Sequence, residues 1–494
     1  MSSIRLARRT LLKAVGLSLA GGVLGCADER YEGIPSLAGS RLYPTQSSLL
    51  AGQTLTLNVS TPAPQFRIDF YRQGASAALQ FSSTWRDGEP APLGRPDLPF
   101  AFPPYDFEIP ASAPPGVYVA RLVEGDNDLP LDPPSPAASA GKAQTLFVLR
   151  TPRERASTIL YKLPLATYQA YNFTGGGSLY HVAKNAAGRP YFDLYQAPDK
   201  ERASPGGTRV TLQRPGNGAG GDLWPEERDP YDASSSRNTF EHWDAPFISW
   251  LEREGYAVDY CMDLDVHQDA SILTPYRLLI CAGHDEYWSE RQREHTEHFL
   301  EAGGNIGFFT GNTCWWRVHY VDDDSAMVCD KRGSKPDQWY LSRPENSLTG
   351  VSYRHAGGWW QSRRTALGYT VQHPDHWAYA NTGLTAGSVF GADAEQPVVG
   401  YECDGAPFTR DENGLAVPAS DPSADTPPGF TILGVAELSR EWRSRLGQGA
   451  TMGVFSVPGD GTVFNAATTD WTKLLTRDPA VAQITRNVID RLGA

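Results

Sequence analysis

The sequence predicts an α/β fold, a mainly parallel sheet flanked by helices, preceded by an N-terminal β-sandwich. Two observations carry that expectation. From Arg41 to about Leu149 the chain runs in short alternating segments, among them "TLTLNVS", "FRIDFYR" and "GVYVARLV", separated by clusters such as "PAPLGRPDLPFAFPP". Short strands with turn signals and no helical period are the pattern of a sandwich. After Thr151-Pro152, apolar strand-like runs alternate with amphipathic helical ones, which means βαβ crossovers and a parallel sheet.

Taken in order, residues 1–25 read as an export signal. Arg8-Arg9 with Leu11-Leu12-Lys13 resembles a twin-arginine signal, and the apolar stretch from Ala14 to Leu24 is short for a membrane span. Val23-Leu24-Gly25-Cys26 resembles a lipoprotein cleavage box that leaves Cys26 acylated. The expected location is therefore periplasmic or at the cell surface, with membrane contact only through the lipid anchor on Cys26. Residues 26–40 form a tether, 41–150 the sandwich, and 151–494 a catalytic domain. There "STILYKLPLATYQAYN" is a strand followed by a loop, and "FEHWDAPFISWLEREGY" has apolar residues at helical spacing, closed by Gly255. The strands "AVDYCMD" and "YRLLICAG" follow, then the helix "SERQREHTEHFLEAGG" and the strand "NIGFFTGN". Ser289 with Gln292 three residues later is a capping-box pattern, and Gly303-Gly304 stops the helix. Residues 320–450, rich in Trp, Gly and Pro, read as insertions and edge strands around a site. "GTVFNAATTDW" and "DPAVAQITRNVIDRL" supply a last strand and a closing amphipathic helix.

The formal net charge of −13 comes with no Lys/Arg cluster outside the first residues. Removing residues 1–25 takes away Arg5, Arg8, Arg9 and Lys13 and no acid, so the remainder is more acidic still. Such a chain is a poor partner for nucleic acid or anionic membrane and suits a neutral or cationic small molecule. Cys261, Cys281, Cys314, Cys329 and Cys403 contain no C-x-x-C pair, so neither a zinc ribbon nor a dense disulfide scaffold is indicated. Cys314 and Cys329 could pair in an oxidising compartment.

Candidate chemistry gathers where "YRLLICAG" ends. His284, Asp285 and Glu286 stand at a strand exit, the place where open α/β sheets bind ligands. If the backbone stays extended, His284 and Glu286 point one way and Asp285 the other. A histidine and a carboxylate converging from one element serve either a general acid/base pair or a metal site. The next strand ends in "TGN"; if the two strands are neighbours, Asn312 stands beside the pair with an amide able to support an oxyanion. "ATYQAYNFTGGGSLYH" offers Tyr168, Tyr171 and Tyr180 around a triple glycine at another strand exit. No nucleophile elbow is visible. Cys281 lies inside its strand rather than at the exit, which argues against a covalent thiol mechanism.

Five blocks in this order, "TYQAYNFTGGGSLY", "ISWLEREGYAVDY", "GHDEYWSERQR", "GGNIGFFTGN" and "GTVFNAATTDW", resemble the C-terminal domain of the large (β) subunit of N,N-dimethylformamidase, over roughly 155–494. The resemblance implies an architecture similar to class I glutamine amidotransferases without the cysteine nucleophile. It also implies hydrolysis of a linear amide or related C–N bond at a mononuclear iron, Fe3+, held by two tyrosines and a glutamate, with a histidine and an asparagine assisting. Carried over, the metal ligands are Glu286 and Tyr171, with Tyr168 the second choice for the tyrosine, and the catalytic residues are His284, Glu286 and Asn312. The second tyrosine is expected directly after an Arg-Pro pair. Here "LQRPGNGAGG" puts Gly216 at that place, and Tyr231 and Tyr195 are near in sequence but out of register. Losing one hard oxygen donor would weaken or re-specify the metal.

Two other readings compete. One is a two-histidine, one-carboxylate iron site for oxygen chemistry, with the second histidine drawn from His267 or His319. The other is a membrane-anchored, non-catalytic binding protein whose Trp-rich "NTCWWRV" and "AGGWWQSRR" grip a sugar or peptide.

Overall fold

A computed structural model describes residues 39–125, 143–199, 205–232, 235–360, 362–421 and 425–494. The expected export signal and Cys26 lie outside the described residues. Among the described residues no helix is long and apolar enough to cross a membrane.

Near the N-terminus, Arg41–Pro44, Thr54–Ser60 and Pro104–Glu108 form a three-stranded antiparallel sheet. It faces a six-stranded sheet built on Gln65–Gln73, Gly116–Glu124 and Gln144–Arg150. Leu55, Leu57 and Val59 of the first meet Phe66, Ile68, Phe70, Phe147 and Leu149 of the second in one core. The alternate residues Val117, Val119, Leu146 and Val148 are buried in a different core, shared with the large sheet of the chain. "TLFVLR" is apolar at successive positions because both of its faces are covered.

The largest sheet has nine strands, in the order Val258–Met262, Ile159–Leu163, Leu278–His284, Asn305–Gly311, Thr462–Asn465, Gly449–Ser456, Thr431–Glu437, Tyr369–Val371, Val389–Phe390. The first five are parallel. From Gly449–Ser456 onward every pairing is antiparallel. This corrects the sequence expectation of a mainly parallel, helix-flanked α/β sheet of amidotransferase type: the chain is β-rich, 35% strand against 18% helix, in several mixed and antiparallel sheets. The physical reason lies in the connections. Helical crossovers join the strands only as far as Gly311. Beyond it the strands pair antiparallel with one another until Thr462–Asn465 closes parallel on Asn305–Gly311, and the Trp/Gly/Pro-rich stretch that carries no clean period supplies three strands of the sheet itself.

What positions the site is local. In Leu278–His284 the residues Leu278, Ile280 and Ala282 enter one core with Phe247, Ile248 and Leu251 of the helix Asp244–Glu254. Leu279 and Cys281 enter another with Phe299 and Leu300 of the helix Glu290–Glu301. Ser289 caps that second helix reciprocally with Gln292. The parallel register pairs His284 with Gly311, which brings Asn312 beside the strand exit. All five described cysteines are buried and free, Cys314 and Cys329 in separate cores, so the possible bridge between them is not formed.

Candidate active site

The strand exit opens with Gly283 at φ +68°, where a Cβ would stand 2.4 Å from the Cβ of Trp243. Beyond it the side chains part. Asp285 turns inward and accepts a hydrogen bond from Lys162 Nζ at 2.7 Å, both groups fully buried, with the Trp288 ring 4.6 Å from the ammonium. Burial works against the Lys162 charge, but Asp285 outweighs it and raises the lysine above its ordinary pKa. His284 and Glu286 turn to the other side.

Two phenols close on Glu286. Tyr171 Oη donates to Oε2 at 2.7 Å, and Tyr180 Oη lies 3.0 and 3.1 Å from the two carboxylate oxygens. The phenol oxygens are 3.0 Å apart and the rings are stacked, centroids 4.6 Å apart. The triple glycine makes this possible. Gly175 and Gly176 both sit at φ +85°, and the turn they form ends with Leu179 N–H donating to Ala170 C=O, which folds Tyr180 back onto the helix Leu165–Tyr171. Behind Tyr180, Tyr287 Oη donates to its hydroxyl at 2.5 Å, and Lys331 Nζ donates to Tyr287 while standing 3.2 Å from the Tyr180 ring centre.

On the far side, His284 Nε2 lies 2.6 Å from Glu402 Oε2 and 3.5 Å from Glu286 Oε2, and Nδ1 bonds Asn238 Oδ1 at 2.7 Å. Asn238 in turn donates to Glu227 at 2.6 Å. Asn312, at φ +50°, is held by its own and the Thr313 N–H groups on the Asp404 carboxylate. Its Nδ2 bridges Glu286 at 3.2 Å and Glu402 at 3.1 Å, while its buried Oδ1 has no hydrogen-bond partner among the described residues.

The electrostatics follow from burial. It raises the Glu286 pKa, against the pull of His284 and with the push of Glu402. Burial opposes the charged form of His284, yet Glu402 and Glu286 prevail and raise it. Tyr171 and Tyr180 are driven well up by burial and then by Glu286. Burial lowers Lys331 to about 8, although Glu286 pulls the other way. The same effect lifts Glu227 to about 7.

His284, Glu286, Asn312 and Tyr171 thus meet at one point. The other candidates do not. Tyr168 donates to Asp244 at 2.5 Å. Gly216, at φ +112°, packs on Asn172, where a Cβ would come within 2.4 Å of the amide, so no side chain fits there. Tyr231 lies against Arg364, and Tyr195 is exposed. His267 is engaged by Ser289 and Asp324, and His319 by Asp337, so neither completes an iron site at Glu286. Sequence reading left Tyr180 as one of three tyrosines and missed Glu402, Lys331, Asn238 and Glu227. Its nine-residue spacing from Tyr171 across three glycines was the signal for Tyr180; Glu402 comes from the unperiodic stretch and had none.

A cavity of about 940 Å³ opens over these groups, lined by Trp315, Trp316, Tyr353, Trp360 and Tyr401 as well as Tyr171, Tyr180, Glu286 and Glu402. Among the described residues no group of three or more His, Cys, Asp or Glu is arranged to hold a metal ion, and the further oxygen donors beside Glu286 are the Tyr171 and Tyr180 phenols.

The profile of the N,N-dimethylformamidase beta subunit-like, C-terminal family matches residues 102–484. The chain belongs to that family. The match holds every residue of the site and starts inside the sandwich, at Phe102. Membership makes this a dimethylformamidase-like chain. No curated protein matches the dimethylformamidase-like chain. Among solved structures, a family 123 glycoside hydrolase from Clostridium perfringens, described for glycolipid glycan hydrolysis, aligns at 9% identity over 61% of this chain and 53% of its own, TM-score 0.11. The chain thus spans about half the length of that enzyme, and at such a score the likeness carries no structural argument.

Proposed function

We propose that this dimethylformamidase-like chain hydrolyses an amide C–N bond in the cavity over Glu286, using a mononuclear iron. The observation that supports it is the convergence of two stacked phenols and a carboxylate on one point of the cavity wall. Their oxygens lie 2.7 to 3.1 Å from one another. Three oxygen donors that close on one another are a set that a small hard cation could share in place of their protons. Phenolate and carboxylate oxygens are donors that suit iron(III). Tyr171, Tyr180 and Glu286 would hold the ion, which would supply Lewis acidity toward an amide carbonyl and toward water.

The chain's own residues account for the protons. Asn238 accepts from His284 Nδ1–H and leaves Nε2 facing Glu402. As water attacks the carbonyl carbon, the new C–O bond forms and Glu402 takes the proton. As the C–N bond breaks, His284 Nε2–H protonates the departing amine, and Glu402 then returns its proton across the 2.6 Å contact. Asn312 Nδ2 donates to both carboxylates and would support the oxyanion by turning one of those N–H groups to it. A cavity of about 940 Å³ with aromatic walls favours an amide bearing an aromatic or extended group over one of a few atoms. The reading extends to export by residues 1–25 and acylation of Cys26, for which Cys26→Ala should release the protein from membranes.

The test is metal analysis of iron-supplied, full-length protein with hydrolysis of linear formamides and N-aryl amides. One iron per chain and turnover are expected. Hydrolysis that survives Glu286→Ala undiminished overturns the proposal.

A further inference from the structure

We propose that Lys331 and Tyr287 are positioning residues that fix Tyr180 as the second phenol of the site and make it unequal to Tyr171. The inference rests on the metal-holding reading of Glu286, Tyr171 and Tyr180.

It follows from counting protons. An ammonium donates and never accepts, whereas a phenol has one proton to give. Lys331 Nζ donates to Tyr287 Oη, so the single Tyr287 proton is free to point at Tyr180, 2.5 Å away. Tyr180 therefore receives a hydrogen bond, and its own proton goes to Glu286. The chain Lys331, Tyr287, Tyr180, Glu286 has one direction, set at its start by a group that cannot reverse. When Tyr180 gives up its proton to hold a cation, its oxygen keeps one donor. Among the described residues Tyr171 has no matching donor behind it; its hydroxyl meets Tyr180 and Glu286.

The surroundings of Lys331 make the arrangement specific. The ammonium is seated on aromatic faces, 3.2 Å from the ring centre of Tyr180 and 4.9 Å from those of Tyr287 and Trp316, and its hydrogen bond goes to a phenol rather than a carboxylate. A buried ammonium without a carboxylate bond is costly. Its place is explained by the negative charge that Glu286 and Glu402 gather beside it. The chain also needs this hold for a local reason. Gly216 stands where a second tyrosine was expected and has no room for a side chain, so the second phenol arrives on the triple-glycine turn, and Tyr287 and Lys331 brace it from behind.

The experiment uses full-length protein loaded with iron(III). It reads the phenolate-to-iron charge-transfer band and the iron dissociation constant against a competing chelator, for wild type, Tyr287→Phe, Lys331→Met and Lys331→Arg. Tyr287→Phe keeps the ring and its packing and removes only the hydroxyl. We expect it to retain iron with the band moved to longer wavelength, because a phenolate without its hydrogen bond is easier to oxidise, and with affinity lowered about 10- to 100-fold. Lys331→Met should move both readings the same way, and Lys331→Arg should restore part of each. If wild type shows the band while Tyr287→Phe and Lys331→Met match it in wavelength and affinity, the inference is overturned and the reading of the site stands. If wild type binds no iron and hydrolyses no amide, both fall.

Discussion

Asp244 and Glu286 are built from the same pieces. Asp244, at the start of the helix Asp244–Glu254, accepts hydroxyls from Tyr161 at 2.8 Å and Tyr168 at 2.5 Å. Glu286 accepts from Tyr171 at 2.7 Å and Tyr180 at 3.0 Å. Around Asp244 the partners are used up, and the hollow beside Tyr168 measures about 10 Å³, at the lower limit for a single water. Around Glu286 there is surplus: a second carboxylate, a histidine, an amide with an unpartnered oxygen, a buried ammonium and a large cavity. A carboxylate between two phenols is therefore a structural unit that becomes a site through access and extra charge.

The widest separation between the two should come from truncating each carboxylate. Glu286→Ala is expected to lose iron and to lower hydrolysis on the order of a thousandfold or more, because several kcal/mol of transition-state stabilisation go with the ion. Asp244→Ala should keep the iron and instead lose about 3 kcal/mol of stability in chemical denaturation, since two buried hydroxyls are left without an acceptor. Equal loss of iron in both variants would erase the distinction.

Next in size is the strand exit itself. Lys162→Met leaves Asp285 buried without its cation, and a cost of about 3 to 5 kcal/mol is expected. Retention of the iron band in whatever fraction remains folded would confirm Asp285 as the structural member of the His-Asp-Glu run.

That run also marks how far the sequence could be read. Alternation at an extended strand exit was enough to separate Asp285 from His284 and Glu286, and a next strand ending in "TGN" at the same edge was enough to bring in Asn312. Both are local rules of backbone geometry. Glu402 reaches the site from more than a hundred residues downstream, out of a stretch whose strands are covered on both faces or short, so no period announces it. The fold class failed for the same reason. Helical crossovers leave a 3.6-residue signature, and the antiparallel half of the nine-stranded sheet, built from that stretch and the last hairpin, leaves little.

A smaller effect is the response of stability to pH. Burial, against the hydroxyls of Tyr168 and Tyr161, raises Asp244 to about 7 from an ordinary 3.8. The folded chain therefore keeps a proton that the unfolded chain releases near pH 4, so stability falls as pH rises from about 4 to about 7 and then levels. Roughly three units at about 1.4 kcal/mol each make this a few kcal/mol. Asp244→Asn should flatten the decline by one proton, measured as the slope of unfolding free energy against pH. An unchanged slope would mean that Asp244 is ionised in the fold.

The smallest expected change probes the wall of the cavity, which Asp244 lacks. Trp360 is 47% exposed, and its Nε1 donates to Glu402 Oε1 at 3.1 Å. Two roles are thus combined in one side chain, a surface for substrate and a hold on the proposed base. Trp360→Ala removes both, and Trp360→Phe keeps a ring while removing the donor. If the ring is what matters, Trp360→Ala should raise KM for an N-aryl amide about tenfold and leave that for dimethylformamide nearly unchanged, with Trp360→Phe close to wild type. If the hydrogen bond matters, both variants should lower kcat for both substrates alike, because Glu402 would lose a partner that holds it against His284. A KM effect confined to the larger substrate assigns the wall to recognition and leaves the chemistry to the groups that surround Glu286.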